Sequence, residues 1–347
     1  MSAAAELVPL DYTPEALEAA VGPAWRDRLL DAYRWMILGR ALDQRMLGLQ
    51  RQGRIGFYGP ATGQEGVSVG AWLALQEHDW VFPGLREQLL ALARGHSLVA
   101  YLHHLFADDR DPARGRQMPC HPTAREVRYV SMSSVIGTQI SQAVGLAYGQ
   151  KLRRDPGVSL AFFGDGATSA NDFHAGLNFA GAFSLPVVFC LTNNQWAISV
   201  PVERQTHVRV LAEKARAYGF EGVRVDGTDV VAVQKALRAA LERARSGLGP
   251  SLVECVVFRM TPHSSSDDPT RYQPPDFLQR GRARDPVARL AGLLRHNGVL
   301  TEEVDRSIAL EADERVRAAV QAAESTPLPD PGSLATDVFS PTASGGG

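Results

Sequence analysis

Hydrophobic residues follow two spacings along this chain, short apolar runs typical of buried strands and longer stretches with a helical period. Residues 158–163 and 186–191 are apolar runs, and residues 171–184 between them have helical spacing. This order predicts a strand–helix–strand unit with two buried, parallel strands. The alternation continues with predicted helices over 208–218 and 230–246 and predicted strands over 222–225 and 251–258. It predicts an α/β fold, a doubly wound, mostly parallel sheet flanked by helices.

Helical spacing also dominates both ends of the chain. Helices are predicted over 25–51, 64–75, 86–106 with an interruption at Gly95, 137–153, 287–296 and 301–324. Residues 107–136 and 259–284 have little period and are predicted to be irregular. The expected organisation is a flexible start, a single α/β domain with helical N- and C-terminal extensions, and a disordered tail rich in Pro, Ser and Gly, over residues 1–13, 14–325 and 326–347.

The predicted helix over 137–153 is rich in small residues. Its glycines weaken the helix, because each Gly in a helix costs about 1 kcal/mol relative to Ala. Close packing would offset that cost. The sequence leaves open whether this helix packs inside the core or against another subunit.

Composition argues against several classes of partner. The 347 residues carry a net charge of −2, which gives no electrostatic basis for nucleic-acid binding. No run of about 18 apolar residues is present to span a membrane. The three cysteines show no metal-ligand spacing, and Cys190 and Cys255 lie in strand-like runs. Buried free thiols and an N-terminus unlike a signal peptide predict a cytoplasmic protein.

Two polar motifs stand where two predicted strands end. Gly164-Asp165-Gly166 follows one strand and Asn193-Asn194 follows the next. Because open α/β sheets bind ligands at the carboxyl ends of their strands, we expect the carboxylate and the amide to lie together there. Both groups are ligands that Mg²⁺ accepts, and glycines beside a helix N-terminus let a phosphate approach the backbone. The spacing indicates a metal-bridged diphosphate, whereas the tripeptide alone would favour an ordinary turn with a capping Asp.

These motifs resemble the thiamine diphosphate motif, and further segments resemble the α-subunits of 2-oxo acid dehydrogenase complexes. The segment that begins His263-Ser264-Ser265-Ser266-Asp267 is most similar to branched-chain enzymes. The resemblance implies the thiamine diphosphate-binding fold, with Mg²⁺ as the metal. It extends over about residues 25–325, and its other matching segments are 115–119, 133–139 and 172–180.

The resemblance also implies roles for individual residues. The metal ligands would be the side chains of Asp165 and Asn194 and the backbone carbonyl of Trp196. His263 would contact the cofactor diphosphate and take part in catalysis. Further cofactor contacts would come from Arg86, Ser134, Ile136, Gly164, Gly166 and Ala167. A monovalent cation such as K⁺ could be bound by Ser133, Val135, Thr138 and Gln139.

Simpler interpretations exist for several of these residues. Arg86 and His263 could be solvated surface residues, and either serine at 133–134 could cap the helix that follows. The loop around His263 is expected to be ordered by an ion pair between Arg259 and Asp267.

The chain departs from the family pattern at three positions. Trp196 stands where Tyr is common, which a backbone ligand tolerates, and Leu85 replaces a Tyr of the pocket. Thr192 replaces a phosphate-binding Arg that branched-chain relatives often have.

Phe57 and Leu85 would line an apolar pocket suited to branched aliphatic substrates, or they are plain core residues. Ser264 matches a phosphoserine of animal mitochondrial relatives, which does not by itself show phosphorylation here.

The expected activity is oxidative decarboxylation of branched-chain 2-oxo acids, with transfer of the acyl fragment to a lipoyl group on an acyltransferase component. In the family a β-subunit supplies the Glu that activates the cofactor, and this chain offers no candidate for it. The resemblance therefore implies an α₂β₂ heterotetramer. A pyruvate or acetoin dehydrogenase α-subunit is the nearest alternative. A non-catalytic scaffolding subunit is disfavoured because Asp165, Asn194 and His263 are all present.

Overall fold

A five-stranded parallel sheet lies at the centre of the computed structural model, which describes residues 6–336. Its strands are β1 (Trp80–Phe82), β2 (Ser159–Gly164), β3 (Val187–Asn193), β6 (Glu221–Asp226) and β7 (Ser251–Val256). Two further strands, β4 (Trp196–Ala197) and β5 (Val200–Pro201), form a separate antiparallel hairpin. The order within the sheet is β1-β2-β3-β7-β6. β2 and β3 are therefore neighbours, and Gly164 stands opposite Thr192 where they end.

Helices surround this sheet. They are α1 (Pro14–Val21), α2 (Trp25–Arg51), α3 (Glu65–Ala74), α4 (Gln88–Ala93), α5 (Leu98–Phe106), α6 (Thr138–Arg153), α7 (Asn171–Ala182), α8 (Val230–Arg245), α9 (Pro275–Ala283), α10 (Pro286–His296) and α11 (Glu302–Glu324). Thr13, Asp229 and Thr301 start α1, α8 and α11 by accepting hydrogen bonds from backbone N–H groups of the first turn. Within residues 6–336 no helix is both long and apolar enough to cross a membrane.

Both faces of the sheet are covered, because successive strand residues point to opposite sides. Leu160 and Phe162 of β2 belong to a buried cluster shared with α3 and α8. Ala161 and Phe163 belong to another, shared with α6 and α7. The predicted doubly wound α/β fold is confirmed.

The N- and C-terminal helices form a layer beside this sheet. The first half of α2 packs with α1, α10 and the start of α11, and its second half packs with α5 and the rest of α11. Trp25, Leu29 and Met36 of α2 are fully buried there. The helical extensions are therefore part of one packed body.

Some elements differ from the prediction. The sequence does not predict α1 or β1, because eight and three residues are too few for a period to show. α9 lies inside the segment predicted to be irregular, and its only buried residues are Phe277 and Gly281, so its apolar face is narrow. A 3₁₀ helix, Leu211–Tyr218, stands where the period predicts a helix over 208–218.

The first part of the predicted tail lies against the body of the protein. Pro331–Ala335 form a short 3₁₀ helix, and Arg116 donates a hydrogen bond to the Thr336 hydroxyl (2.9 Å). The Asp109 N–H donates to the Pro327 carbonyl (2.9 Å). These contacts belong to the first part of the segment predicted to be disordered, and the disorder of that segment stays a prediction. Residues 1–5 and 337–347 lie outside the described part of the chain.

The glycines of α6 and α7 have opposite surroundings. A Cβ added at Gly145 or Gly149 of α6 would meet no atom within 4 Å. At Gly176 of α7 it would lie 2.7 Å from the Cγ2 atom of Ile140. Gly176 therefore lets the two helices pack together, whereas Gly145 and Gly149 face open space, and no packing within residues 6–336 requires them.

We expect alanine to have opposite effects at two of these positions. Gly176→Ala should destabilise the fold by about 1–3 kcal/mol, because Ile140 must shift. Gly145→Ala should stabilise the isolated chain by about 1 kcal/mol, because it replaces a helical Gly in open space. Urea unfolding of both variants measures the two effects. Equal destabilisation would show that Gly145 packs inside the chain.

Candidate active site

Asp165 and Asn194 lie together at the carboxyl ends of β2 and β3. Asp165 is 1% exposed, and its carboxylate accepts a hydrogen bond from Gln205 Nε2 (2.8 Å). Burial raises the pKa of Asp165, although the backbone N–H of Asn194 partly opposes that shift. The hydrogen-bond donors to this carboxylate are amides rather than charged groups. Because a buried charge is costly unless it is paired, a cation beside Asp165 would stabilise its carboxylate.

The other two predicted metal ligands adjoin this carboxylate. The Asn194 amide oxygen accepts from the Trp196 N–H (3.1 Å), and its amide nitrogen donates to Gln64 Oε1 (3.4 Å). The Trp196 carbonyl lies 3.5 Å from Arg259 Nη1, and the same guanidinium lowers the pKa of Asp165. Residues 6–336 contain no group of three or more His, Cys, Asp and Glu able to hold a metal. A cation here would depend on one carboxylate with amide and carbonyl oxygens, a set suited to Mg²⁺.

Two arginines are buried beside these oxygens. Arg86 is 7% exposed, and it donates to the carbonyls of Pro60 and His263 (2.7 Å for His263). Arg259 is 1% exposed and donates to the Ile198 carbonyl (2.8 Å). Burial and then the charge of Arg259 lower the pKa of Arg86 to about 10. Arg86 is therefore not a solvated surface residue, and two guanidiniums bonded to neutral groups are well placed to bind an anion.

His263 connects the two arginines. Its Nδ1 lies 3.3 Å from Arg86 Nη2 and 3.5 Å from Arg259 Nη1. Because guanidinium nitrogens only donate, Nδ1 accepts, and the hydrogen of the neutral ring is on Nε2. Burial, followed by the charges of the two arginines, lowers the pKa of His263 to about 4. His263 is therefore neutral at neutral pH, with an N–H at Nε2 to donate.

The loop that follows is ordered through Tyr272, not by the predicted direct ion pair of Arg259 and Asp267. The Tyr272 hydroxyl accepts from Arg259 Nη2 (2.7 Å) and donates to Asp267 Oδ2 (2.5 Å). The same carboxylate oxygen accepts from the His263 backbone N–H (2.7 Å). The direct pair does not form because the phenol lies between the two charges. Arg259 and Asp267 still order the loop, with Tyr272 as the bridge.

The segment before α6 is held by a histidine that the sequence does not single out. Ser134 Oγ lies 2.6 Å from His121 Nε2, and Ser133 Oγ accepts from the Val135 N–H (3.1 Å). α6 begins after Gly137, which has a left-handed φ of 95°, and it has no side-chain cap. The interpretation of the two serines as helix caps is therefore wrong.

The residues predicted to hold a monovalent cation also have contacts within the chain. The Val135 carbonyl accepts from the Thr138 N–H (3.3 Å), and Gln139 Nε2 donates to the Phe162 carbonyl (2.9 Å). Gln139 thereby ties the start of α6 to the end of β2. A monovalent cation bound to this segment stays a prediction.

Gly164 and Gly166 differ in the atoms that a side chain would meet at each position. A Cβ at Gly164 would meet only the Thr192 carbonyl, 3.9 Å away, so space for a ligand lies beside it. At Gly166 a Cβ would lie 2.8 Å from the Ala197 Cβ, so the β4–β5 hairpin leaves no room for a side chain there. Ala167 is 4% exposed and belongs to the core next to α6 and α7.

Phe57 and Leu85 lie at the edge of one apolar cluster. Both side chains are half-buried and pack against residues of α2 and α5. A Cβ at Gly59 would lie 3.2 Å from the Leu85 side chain, so the 57–59 segment and Leu85 are in close contact. The structure therefore brings the two predicted pocket residues to the same region.

Sequence reasoning assigns no role to four polar residues of the site, because three belong to no recognised motif and the fourth, Tyr272, only ends the matching segment that begins at His263. They are Gln64, His121, Gln205 and Tyr272. Among residues 6–336, buried polar atoms near the site that have no hydrogen-bond partner are Gln64 Nε2, Thr192 Oγ1, Gln205 Oε1 and Arg259 Nε. Such atoms are rare in folded proteins, and their grouping here fits a polar ligand or ordered water.

A carboxylate, an amide and two buried guanidiniums meet at the carboxyl ends of parallel strands, where open α/β sheets bind ligands. This set of groups is suited to an anionic ligand together with a cation. The chain belongs to the family of dehydrogenase E1 components, whose family model matches residues 33–332. Membership of this family implies thiamine diphosphate as the cofactor.

Known relatives match over most of their length. The chain is 40% identical over 313 residues to the pyruvate dehydrogenase E1 component subunit alpha of Bacillus cereus, covering 89% of this chain and 81% of that one. It is 37% identical over 312 residues to the 2-oxoisovalerate dehydrogenase subunit alpha of Bacillus subtilis, covering 89% and 94%. It is 39% identical over 311 residues to the 3-methyl-2-oxobutanoate dehydrogenase subunit alpha of Mycobacterium tuberculosis, covering 88% and 81%. The similar identities do not separate a pyruvate enzyme from a branched-chain one.

We expect His263 to stay neutral well below the usual pKa of histidine. NMR titration of labelled histidines in the cofactor-free protein should give a pKa of about 4, because burial and two guanidiniums oppose protonation. The unfolded chain then binds more protons, so folding stability should fall as the pH drops from about 6.5 to about 4. His263→Gln should reduce this pH dependence. A measured pKa above about 6 would contradict the geometry.

Proposed function

We propose that this chain is the α-subunit of a branched-chain 2-oxo acid dehydrogenase, 3-methyl-2-oxobutanoate dehydrogenase (acyl-transferring). The reaction is thiamine-dependent oxidative decarboxylation of a branched-chain 2-oxo acid, with transfer of the acyl fragment to a lipoyl group. The observation that carries the proposal is the grouping of Asp165 and Asn194 with Arg86, Arg259 and His263. This grouping offers oxygen ligands and positive charge side by side, which fits a metal-bridged diphosphate.

Residues of the site are able to hold both parts of that ligand. Arg86 and the Nε2–H of His263 would donate to diphosphate oxygens. Asp165, the Asn194 amide oxygen and the Trp196 carbonyl would bind Mg²⁺. The amide oxygen already accepts one hydrogen bond from Trp196 and keeps a second lone pair for the metal. Bound thiamine diphosphate supplies the electron sink for loss of CO₂.

His263 is the proposed catalytic residue of this chain. Its Nδ1 faces two guanidiniums, which fixes the direction of the ring and of its Nε2–H. Because the ring is neutral, it donates a hydrogen bond to an anion without adding a third charge to the two arginines. A donor fixed in this way can also stabilise negative charge that develops on the bound ligand during turnover.

The branched-chain assignment is supported by the apolar residues Phe57 and Leu85. Both are half-buried, so part of each side chain stays free to contact a ligand. A hydrophobic pocket distinguishes substrates by about 1–3 kcal/mol for each methylene group. A pyruvate dehydrogenase α-subunit is the second candidate, because a relative with that name matches at 40% identity.

A β-subunit is proposed because the site is open on one side. Apolar side chains close to the site are exposed, with values of 65% for Val135, 63% for Ile136, 55% for Ile198 and 43% for Val200. Exposed apolar groups beside a polar site are typical of a protein interface. In the proposed α₂β₂ heterotetramer the β-subunit covers them and supplies the activating Glu. A lipoyl-bearing acyltransferase then accepts the acyl group.

The outer surface of α6 and α7 supports the same assembly. Tyr148, Phe179 and Phe183 form an aromatic cluster with ring centroids 4.5 to 5.7 Å apart, and Phe179 and Phe183 are 39% and 45% exposed. Tyr148 lies beside Gly149, where open space allows another backbone to approach. Aromatic side chains are enriched in interfaces.

Asp165→Ala should abolish Mg²⁺-dependent binding of thiamine diphosphate while the fold remains. The loss should be tenfold or more, which corresponds to about 1.4 kcal/mol or more of binding free energy. Calorimetry on the assembled protein, with Mg²⁺ and with a chelator, measures it. Asp172→Ala is the control, because Asp172 is a carboxylate at the start of α7 that bonds Ser141 instead (2.6 Å). Unchanged affinity in Asp165→Ala would refute the metal assignment.

The test of the proposed function is decarboxylation with an artificial electron acceptor, measured for this chain, for its β-partner and for both together. Activity should require both, and kcat/KM should favour 2-oxoisovalerate over pyruvate by about tenfold or more. Leu85→Tyr should narrow that preference, because it brings a polar phenol into the pocket.

Two results would change the assignment. A tenfold preference for pyruvate would favour the second candidate. Substantial turnover by this chain alone would mean that it holds the activating acid. Glu87 would then be the first residue to examine, because burial raises its pKa to about 7 and it lies beside Arg86.

A further inference from the structure

Ser134 and His121 are joined by a hydrogen bond, and the proposed function assigns no role to His121. We propose that His121 is a positioning residue that fixes the Ser134 hydroxyl as a hydrogen-bond acceptor for the amino group of the cofactor's pyrimidine ring. The inference rests on the proposed function and on the family resemblance, which implies that the Ser134 hydroxyl holds the aminopyrimidine of the cofactor.

A backbone carbonyl sets the direction of the hydrogen bonds. His121 Nδ1 lies 2.9 Å from the Pro119 carbonyl oxygen, which only accepts, so the hydrogen of the neutral ring is on Nδ1. Nε2 is then a bare acceptor, 2.6 Å from Ser134 Oγ. The hydroxyl must donate to it. The sulfur of Met118, 3.5 Å from the same hydroxyl, is a weaker acceptor.

A second histidine holds His121 in place. The backbone N–H of His121 donates to His104 Nε2 (3.1 Å), so the hydrogen of a neutral His104 ring is on Nδ1. That atom lies 3.1 Å from the Asp111 carboxylate, which accepts from it. His104, Asp111 and His121 are all buried, with 4%, 2% and 4% exposure. The donor and acceptor roles in the hydrogen bonds from Asp111 through His104 to His121 are therefore consistent with one another.

The ligand consequently meets a hydroxyl whose only hydrogen is already used. Ser134 is exposed on its other side, so only oxygen lone pairs face a bound molecule. An amino group has hydrogens to donate to them, whereas an oxygen at the same position has none. With His121 in place, Ser134 selects an amino group. Without His121 the hydroxyl could rotate and donate to an oxygen.

The experiment compares thiamine diphosphate with oxythiamine diphosphate, in which an oxygen replaces the pyrimidine amino group. Calorimetry with Mg²⁺ on the protein assembled with its β-partner gives both dissociation constants. Wild type should favour the amino compound. His121→Leu should reduce that preference about three- to tenfold, roughly the effect of one neutral hydrogen bond. His121→Gln, whose amide oxygen can accept near the Nε2 position, should keep it.

Ser134→Ala completes a double-mutant cycle. It should reduce the preference by itself, and His121→Leu should then have no further effect. An unchanged preference in His121→Leu, or an equal loss in the Ser134→Ala background, would overturn the proposed role of His121. If wild type binds neither compound, the proposed function fails as well. If His121→Leu does not assemble, His121→Asn replaces it, because its shorter amide does not reach Ser134.

Discussion

The buried guanidinium of Arg259 is the constraint on which the site depends. It is 1% exposed, and its hydrogen-bond partners are carbonyl oxygens, an imidazole and a phenol rather than a carboxylate. Neutral partners offset only part of the cost of taking a charge out of water. The β4–β5 hairpin, His263 and Tyr272 therefore converge on this one group. With Arg86 close by, two buried guanidiniums that are hydrogen-bonded to neutral groups lie side by side, and an anionic ligand can accept hydrogen bonds from them.

The backbone of the β4–β5 hairpin has an unfavourable conformation where its carbonyls contact Arg259. Gln195 and Ile198 have φ values of 71° and 56°, in the left-handed region that non-glycine residues avoid. For a β-branched residue such as Ile198 this conformation is unusual, and it costs of order 1–3 kcal/mol. It places the Trp196 and Ile198 carbonyls on Arg259. The hydrogen bonds to the guanidinium offset the strain, so the same contacts shape the hairpin and fix the direction of the Trp196 carbonyl, a proposed metal ligand.

Contacts that follow from a local pattern of strands could be predicted from the sequence. Contacts that form only when a loop folds back onto the site could not. Asp165 and Asn194 follow apolar runs, so their meeting at one sheet edge could be inferred. Gln205 reaches Asp165 only because the hairpin reverses the chain, and no spacing indicates that. Similarly, Arg259 and Asp267 were recognisable as opposite charges in one loop. The phenol between them was not, because its position depends on the 3₁₀ turn Pro269–Arg271.

The two ends of the site differ in how completely this chain encloses them. Asp165, Arg86 and Arg259 are buried, which strengthens their interaction with a charged ligand because the local dielectric is low. Ser134 and Ile136, in contrast, are exposed. A ligand that is anionic at one end and an organic ring at the other would therefore have its charged end fixed by this chain. Its ring would remain at the surface for a second subunit to enclose. In such an arrangement the ligand is itself part of the interface, so assembly and formation of the complete site are coupled.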